Sequence, residues 1–270
     1  MAYRRALLLA LFAALLAGAP TPAFAAAAPD PLATARRLYN EGNFDAALIA
    51  ARQAAANPSR ASSARLVLGR IHLERHRQSS MAGELENART ELRAVDPRAL
   101  DSRERIELQI GLAALLYYED QFGAAAELLD PIVSASATLA PDAHERALDW
   151  WATALDRQAQ ASTDRVAAFV RLTERMEQEL KRDPASVPAN YWLAAAARAT
   201  GDLDRAFAVA SAAWIRAMLL GERGAALRTD LDRLVMQAII PDKAARLPQR
   251  ERRTATTTMT ADWENFKKSW

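Results

Sequence analysis

The 270-residue sequence contains no cysteine. That excludes disulfides, thiolate metal sites, a cysteine nucleophile and a lipid-modified cysteine at the start of a mature chain. Glycine is sparse: the nine residues never form G-x-G-x-x-G or a phosphate loop closed by lysine, and no G-x-S-x-G nucleophile elbow is present. No stretch alternates apolar and polar residues as a half-buried strand does. Excess charge is also missing. Of 35 Lys and Arg, two (Arg4 and Arg5) lie in the N-terminal leader described below, leaving 33 bases against 33 acids. A nucleic-acid binder carries a basic face, so nucleic acid is not an expected partner. The acidic residues sit beside arginines, as in Glu145-Arg146 and Glu174-Arg175, and no carboxylate pair stands out as an acid and a base.

Long apolar runs are absent with one exception, Ala6 to Ala19, which follows Arg4 and Arg5 and leads through Pro20-Thr21-Pro22 to Ala23-Phe24-Ala25. A positive start, a short apolar core and an A-x-A cleavage pattern describe a secretory signal peptide over residues 1–25, too short in its apolar part to span a bilayer. The expected localisation is periplasmic or secreted, with a mature chain from Ala26 to Trp270. Lacking disulfides, that chain must be held by its core alone, and it is long enough to bury one extended core or two small ones.

What is present throughout the rest is the i, i+3, i+4, i+7 spacing of amphipathic helices, rich in Ala, Leu, Arg and Glu. Stops fall at Asn57-Pro58, Asp96-Pro97, Ala140-Pro141, Asp183-Pro184 and Gly221. About eleven helices and no strands are expected. One spacing recurs four times. Gly42-x-Phe44-x-x-Ala47 is matched by Gly83-x-Leu85-x-x-Ala88, by Asp120-x-Phe122-x-x-Ala125 and by Gly201-x-Leu203-x-x-Ala206, with further apolar residues four and seven positions on. Each copy reads as a turn residue, an apolar wedge, and a small residue where two helices approach closely. Preceding helices pair a large with a small residue at Leu68-Gly69, Leu112-Ala113 and Leu193-Ala194. A degenerate fifth pair, around Asp164-x-Val166-x-x-Phe169, places a bulky residue in the small slot.

This arrangement resembles the tetratricopeptide repeat, with a lengthened spacing between copies. The resemblance covers most of residues 31–220 and implies an all-α helix-pair solenoid, a superhelix of about five pairs. Residues 225–246, with Leu227, Leu231, Leu234, Val235, Ala238 and Ile239 on one face, would cap it. The array and cap span 26–246; residues 247–260, arginine-rich and then threonine-rich, read as a flexible linker, and 261–270 as an amphipathic aromatic tail. The resemblance further implies a protein or peptide partner bound in a concave groove lined by the first helix of each pair. Its residues would be Arg36, Tyr39, Arg70, Leu73, Ala114, Tyr117, Ala195 and Arg198, with Tyr191 a turn earlier. The lysine and asparagine set with which family members grip a terminal carboxylate is missing, which favours an internal or apolar segment. In related envelope proteins such modules assist assembly of outer-membrane or cell-wall machinery or hold unfolded exported chains.

Two further features were weighed. His72 and His76, at i and i+4, share a helix face, but Glu74 points elsewhere and no third ligand is evident, so no metal, no cofactor and no catalytic residue are expected. The alternative is an envelope enzyme using these histidines. Trp263, Phe266 and Trp270, at i, i+3 and i+7, would gather on one helix face. They are expected to dock on the array itself or on a partner; the alternative is a membrane surface.

Overall fold

The computed structural model describes residues 30–135, 141–163 and 165–270; the expected signal peptide lies outside them. All regular structure among the described residues is helical, in twelve helices with sequential, antiparallel-like packing. They are α1 (Pro31–Asn40), α2 (Phe44–Ala55), α3 (Ala61–Ser79), α4 (Ala82–Arg93), α5 (Ser102–Tyr118), α6 (Phe122–Ser134), α7 (Pro141–Ala161), α8 (Arg165–Arg182), α9 (Val187–Ala199) and α10 (Leu203–Leu219). Next, α11 starts at Ala225–Leu234 and runs through a π-helical turn (Val235–Ile239) into Ile240–Ala245, and α12 is Gln249–Lys268. The π turn lies directly before Pro241, whose missing N–H and bulky ring would break a regular α-turn; the wider turn lets the helix continue.

Three of the four repeated turns have one geometry. Gly42, Asp120 and Gly201 adopt positive φ of 75°, 59° and 83°. In each case the next residue's N–H reaches five residues back: Asn43 to Leu38, Gln121 to Leu116 and Asp202 to Ala197, all at 2.9 Å. This is the bond that closes a helix by a left-handed residue and turns the chain back on itself. Asn43 and Asp202 then cap the following helix, accepting from the N–H of Ala46 and of Arg205. The second copy departs from the pattern. Its left-handed residue is Ser80 (φ 55°), whereas Gly83 lies inside α4, because α4 already starts at Ala82 and the connection after α3 is two residues, one shorter than in the other three copies.

Small residues set how near paired helices come. Ala35, Ala113 and Ala194 are fully buried, and a Cβ added to Gly69 would stand 2.5 Å from Leu92 Cγ, so α4 rests on the bare backbone of α3. On the second helices Ala47, Ala88, Ala125 and Ala206 are all 0% exposed. In the fifth pair the pattern fails: Val166 is 66% exposed and Phe169 is buried, so the register shifts, and Asp164 lies outside the described residues. Changing Ala47, Ala125 or Ala206 to leucine is expected to overpack a helix pair by about 1–3 kcal/mol. The exposed Ala226 should tolerate the same change; equal urea midpoints for the two sets would refute these close contacts.

Each helix packs on the next, and in addition α1 meets α3, α3 meets α5, α7 meets α9, and α9 meets α11. The odd-numbered helices therefore share one face. Ahead of α11, the Gly221–Gly224 turn reverses the chain, and Leu227, Leu231, Leu234, Val235 and Ile239 are buried against α10 and α9.

The C-terminal segment corrects the expected linker and tail: residues 249–268 form one 20-residue helix. Threonine is a weak helix former, but Thr256 and Thr257 donate their hydroxyls to the carbonyls of Arg252 and Arg253 at 2.8 and 3.0 Å. The helix is fixed at its far end by Trp263, which is completely buried.

Candidate functional site

A hollow of about 130 Å³ opens on the face shared by the odd-numbered helices, and four of them line it. From α1 comes Tyr39; from α3, Arg70, Leu73 and Glu74; from α5, Ile110, Gly111, Ala114 and Tyr118; from α7, Arg146, Ala147 and Trp150. The floor is aliphatic, with Leu73 and Ala114 nearly closed to solvent. Its walls are aromatic. Tyr118 meets Trp150 edge to face at 6.1 Å, Tyr117 lies 5.8 Å from the same indole, and His76 sits edge-on to Tyr118 at 4.9 Å. The Arg70 guanidinium stands 4.6 Å over the Tyr39 ring, a cation–π contact. Burial pushes the phenol pKa of both Tyr39 and Tyr118 upward, so both hydroxyls stay protonated and able to donate.

Of the charged residues, Arg70, Glu74 and Arg146 line the hollow, and ion pairs tie the first two to residues on their own and neighbouring helices. Arg70 bonds Glu107 at 2.7 Å, and Arg103 reaches the same carboxylate at 3.2 Å. Arg77 holds Glu74 at 2.7 Å, and Arg36 pairs with Glu104, linking α1 to α5 across α3. Arg146 is exposed and makes no ion pair among the described residues.

The structure brings together Tyr39, Arg70, Leu73 and Ala114 of the groove residues read from the sequence, with Tyr117 against Trp150. Arg36 is not among the lining residues and is engaged by Glu104. Tyr191 and Arg198 lie farther along, on α9: Tyr191 is half-buried against Trp192 at 5.3 Å, and Arg198 bonds Asp242 of α11 at 2.8 Å. The sequence reading missed Tyr118, Arg146 and Trp150. A signal for Trp150 exists: it and Trp192 each stand two residues before a fully buried alanine, Ala152 and Ala194, so the two indoles occupy one register on α7 and α9.

The two histidines of α3 part company. His72 is buried with Nδ1 2.6 Å from Glu84 Oε2, while Arg75 holds the other oxygen at 2.9 Å. His76 turns its Nδ1 to the Met81 carbonyl at 3.0 Å. No group of three His, Asp or Glu among the described residues is placed to hold a metal ion.

The aromatic residues of the C-terminus are not all on one face. Trp263 is wedged beside Phe207 and Trp214 of α10, at 5.8 and 5.5 Å, and stacks on Phe266 at 5.5 Å. Its indole N–H donates to Asp232 of α11 at 2.8 Å, and Lys267 bonds the same oxygen at 2.6 Å. Burial opposes charge on both Asp232 and Lys267. Their mutual hydrogen bond prevails, holding the carboxyl below and the ammonium above its ordinary pKa. Trp270 lies past the end of α12 and is 61% exposed. No helix among the described residues is long and apolar enough to cross a membrane.

No protein-family model matches the chain, and no similar sequence is found among curated proteins.

Proposed function

We propose that this protein is a divergent, exported member of the tetratricopeptide repeat family. In this reading it is a scaffold of about five helix pairs that binds an extended segment of a protein partner along the face of its odd-numbered helices, and it is not an enzyme. The observation that carries the reading is the hollow to which four successive odd-numbered helices each contribute. A site assembled one helix at a time along a stack suits a linear ligand, and aromatic rings with arginines are the side chains that dominate such contacts. The three identical left-handed turns and the contacts between alternate helices support the solenoid reading. The leader read from the sequence supports export to the cell envelope, where such a scaffold would serve assembly of envelope machinery.

Photo-crosslinking in the native envelope tests both parts. A photoreactive residue in place of Tyr39 or Arg70 is expected to capture one recurring protein, whereas the same residue in place of exposed Ile49 on α2 captures none, and N-terminal sequencing of the material begins at Ala26. Equal capture from both faces sinks the groove, and an intact Met1 sinks the export.

A further inference from the structure

Resting on the groove reading, the geometry points to the class of segment bound: we infer that the hollow takes a single phenylalanine- or leucine-sized side chain flanked by acidic residues. Size sets the first half of this. An apolar cavity of about 150 Å³ accommodates one benzene, so a hollow of about 130 Å³ admits one ring or one branched aliphatic group and excludes the face of a helix. Tyr39, Tyr118 and Trp150 give it aromatic walls, and Leu73 and Ile110 an aliphatic base. A polar side chain placed there would meet no free partner among the base residues.

Charge sets the second half. Two arginines, Arg70 and Arg146, line the hollow with one carboxylate, Glu74. Glu74 is taken by Arg77, and Arg70 is held by Glu107, which Arg103 also reaches. With these partners counted, two positive charges are left over, one shared by the Arg70–Arg103 pair and one on Arg146, which makes no ion pair among the described residues. The nearest other carboxylate in sequence to Trp150, Asp149, accepts the Trp192 indole N–H at 2.7 Å, on the side toward α9. An approaching segment meets a positive rim around an apolar centre, which attracts carboxylates beside the anchor and repels lysine or arginine.

Short end-capped fluorescent peptides titrated into the full chain by anisotropy test this. One carries a phenylalanine among glutamates and aspartates, a second replaces the phenylalanine by alanine, and a third replaces the acids by lysines. The first is expected to bind tightest, the second and third each about tenfold or more weaker, and added salt should weaken the first. Arg146→Glu, a change at an exposed unpaired residue, should reverse the preference between the first and third peptides with the helical content unchanged. The inference is overturned if the lysine peptide binds as well as the acidic one, if alanine replaces phenylalanine without loss, or if Arg146→Glu leaves the preference as it was. Should the lysine peptide win while Trp150→Ala weakens it, the groove stands and only its charge class is wrong. Should no peptide bind at millimolar concentration, both readings fall.

Discussion

Replacing Trp263 with alanine is expected to lower stability by about 3–5 kcal/mol, the cost of emptying a fully buried indole site. The loss has two parts. Phe207, Trp214 and Phe266 lose the ring they pack on, and Asp232 loses one of its two donors, leaving it with Lys267 alone. Nothing comparable anchors the rest of α12, since residues 249–254 are exposed and Trp263 is the only buried residue of the helix. An isolated helix of that length with five threonines is marginal in water. The variant should therefore lose ellipticity equivalent to α12 before the main transition and become sensitive to trypsin at Arg250, Arg252 and Arg253. Trp263→Phe, which keeps a ring but not the N–H, should fall between. An unchanged melting curve and unchanged trypsin resistance would show that α12 is not held by this indole.

Gly224→Ala is expected to cost about 3 kcal/mol, near the upper range for overpacking. A Cβ there would lie 1.9 Å from the carbonyl oxygen of Ala217 and 2.8 Å from its carbon, backbone atoms that cannot rotate away. Conformation is not the reason, because φ at Gly224 is −81°; the space is. Gly221 supplies the contrast. Its φ is +58° and nothing stands within 4 Å of an added Cβ, so alanine there costs only about 1 kcal/mol. Urea titration of the two variants checks the order, and a Gly221 variant less stable than the Gly224 variant would refute the tight corner between α10 and α11.

The helix pairs were legible because their rules are local. A left-handed turn residue, a wedge and an alanine three residues later recur as short-range patterns, and Ala47, Ala125 and Ala206 are fully buried where that pattern puts them. The rule weakened where another residue could do the same work: Ser80 takes the left-handed position, leaving Gly83 free to enter α4. The helix over 249–260 was not legible, because arginines and threonines carry no apolar period and its anchor, Trp263, lies beyond them. Charge on the candidate site was the hardest to read. Arg36, Arg70 and Arg198 are all on the expected helices, yet Glu104, Glu107 and Asp242, distant in sequence, engage them. Arg146 stays unpaired in a helix whose repeat match is poor, where spacing offered nothing to single it out.

The odd-numbered helices are not joined by the same kind of contact along their shared face. Ion pairs fasten α1 and α3 to α5, and farther along Glu145 of α7 holds Arg223 at the corner before α11. Such pairs have a set length. Between α5 and α7 the described residues make no ion pair across this face; Tyr117 and Tyr118 meet Trp150 ring to ring. These ring contacts are what join α5 to α7 on this face, and the hollow straddles the seam they form. A side chain seated there would touch residues on both sides of the seam at once, Tyr118 from α5 and Trp150 from α7.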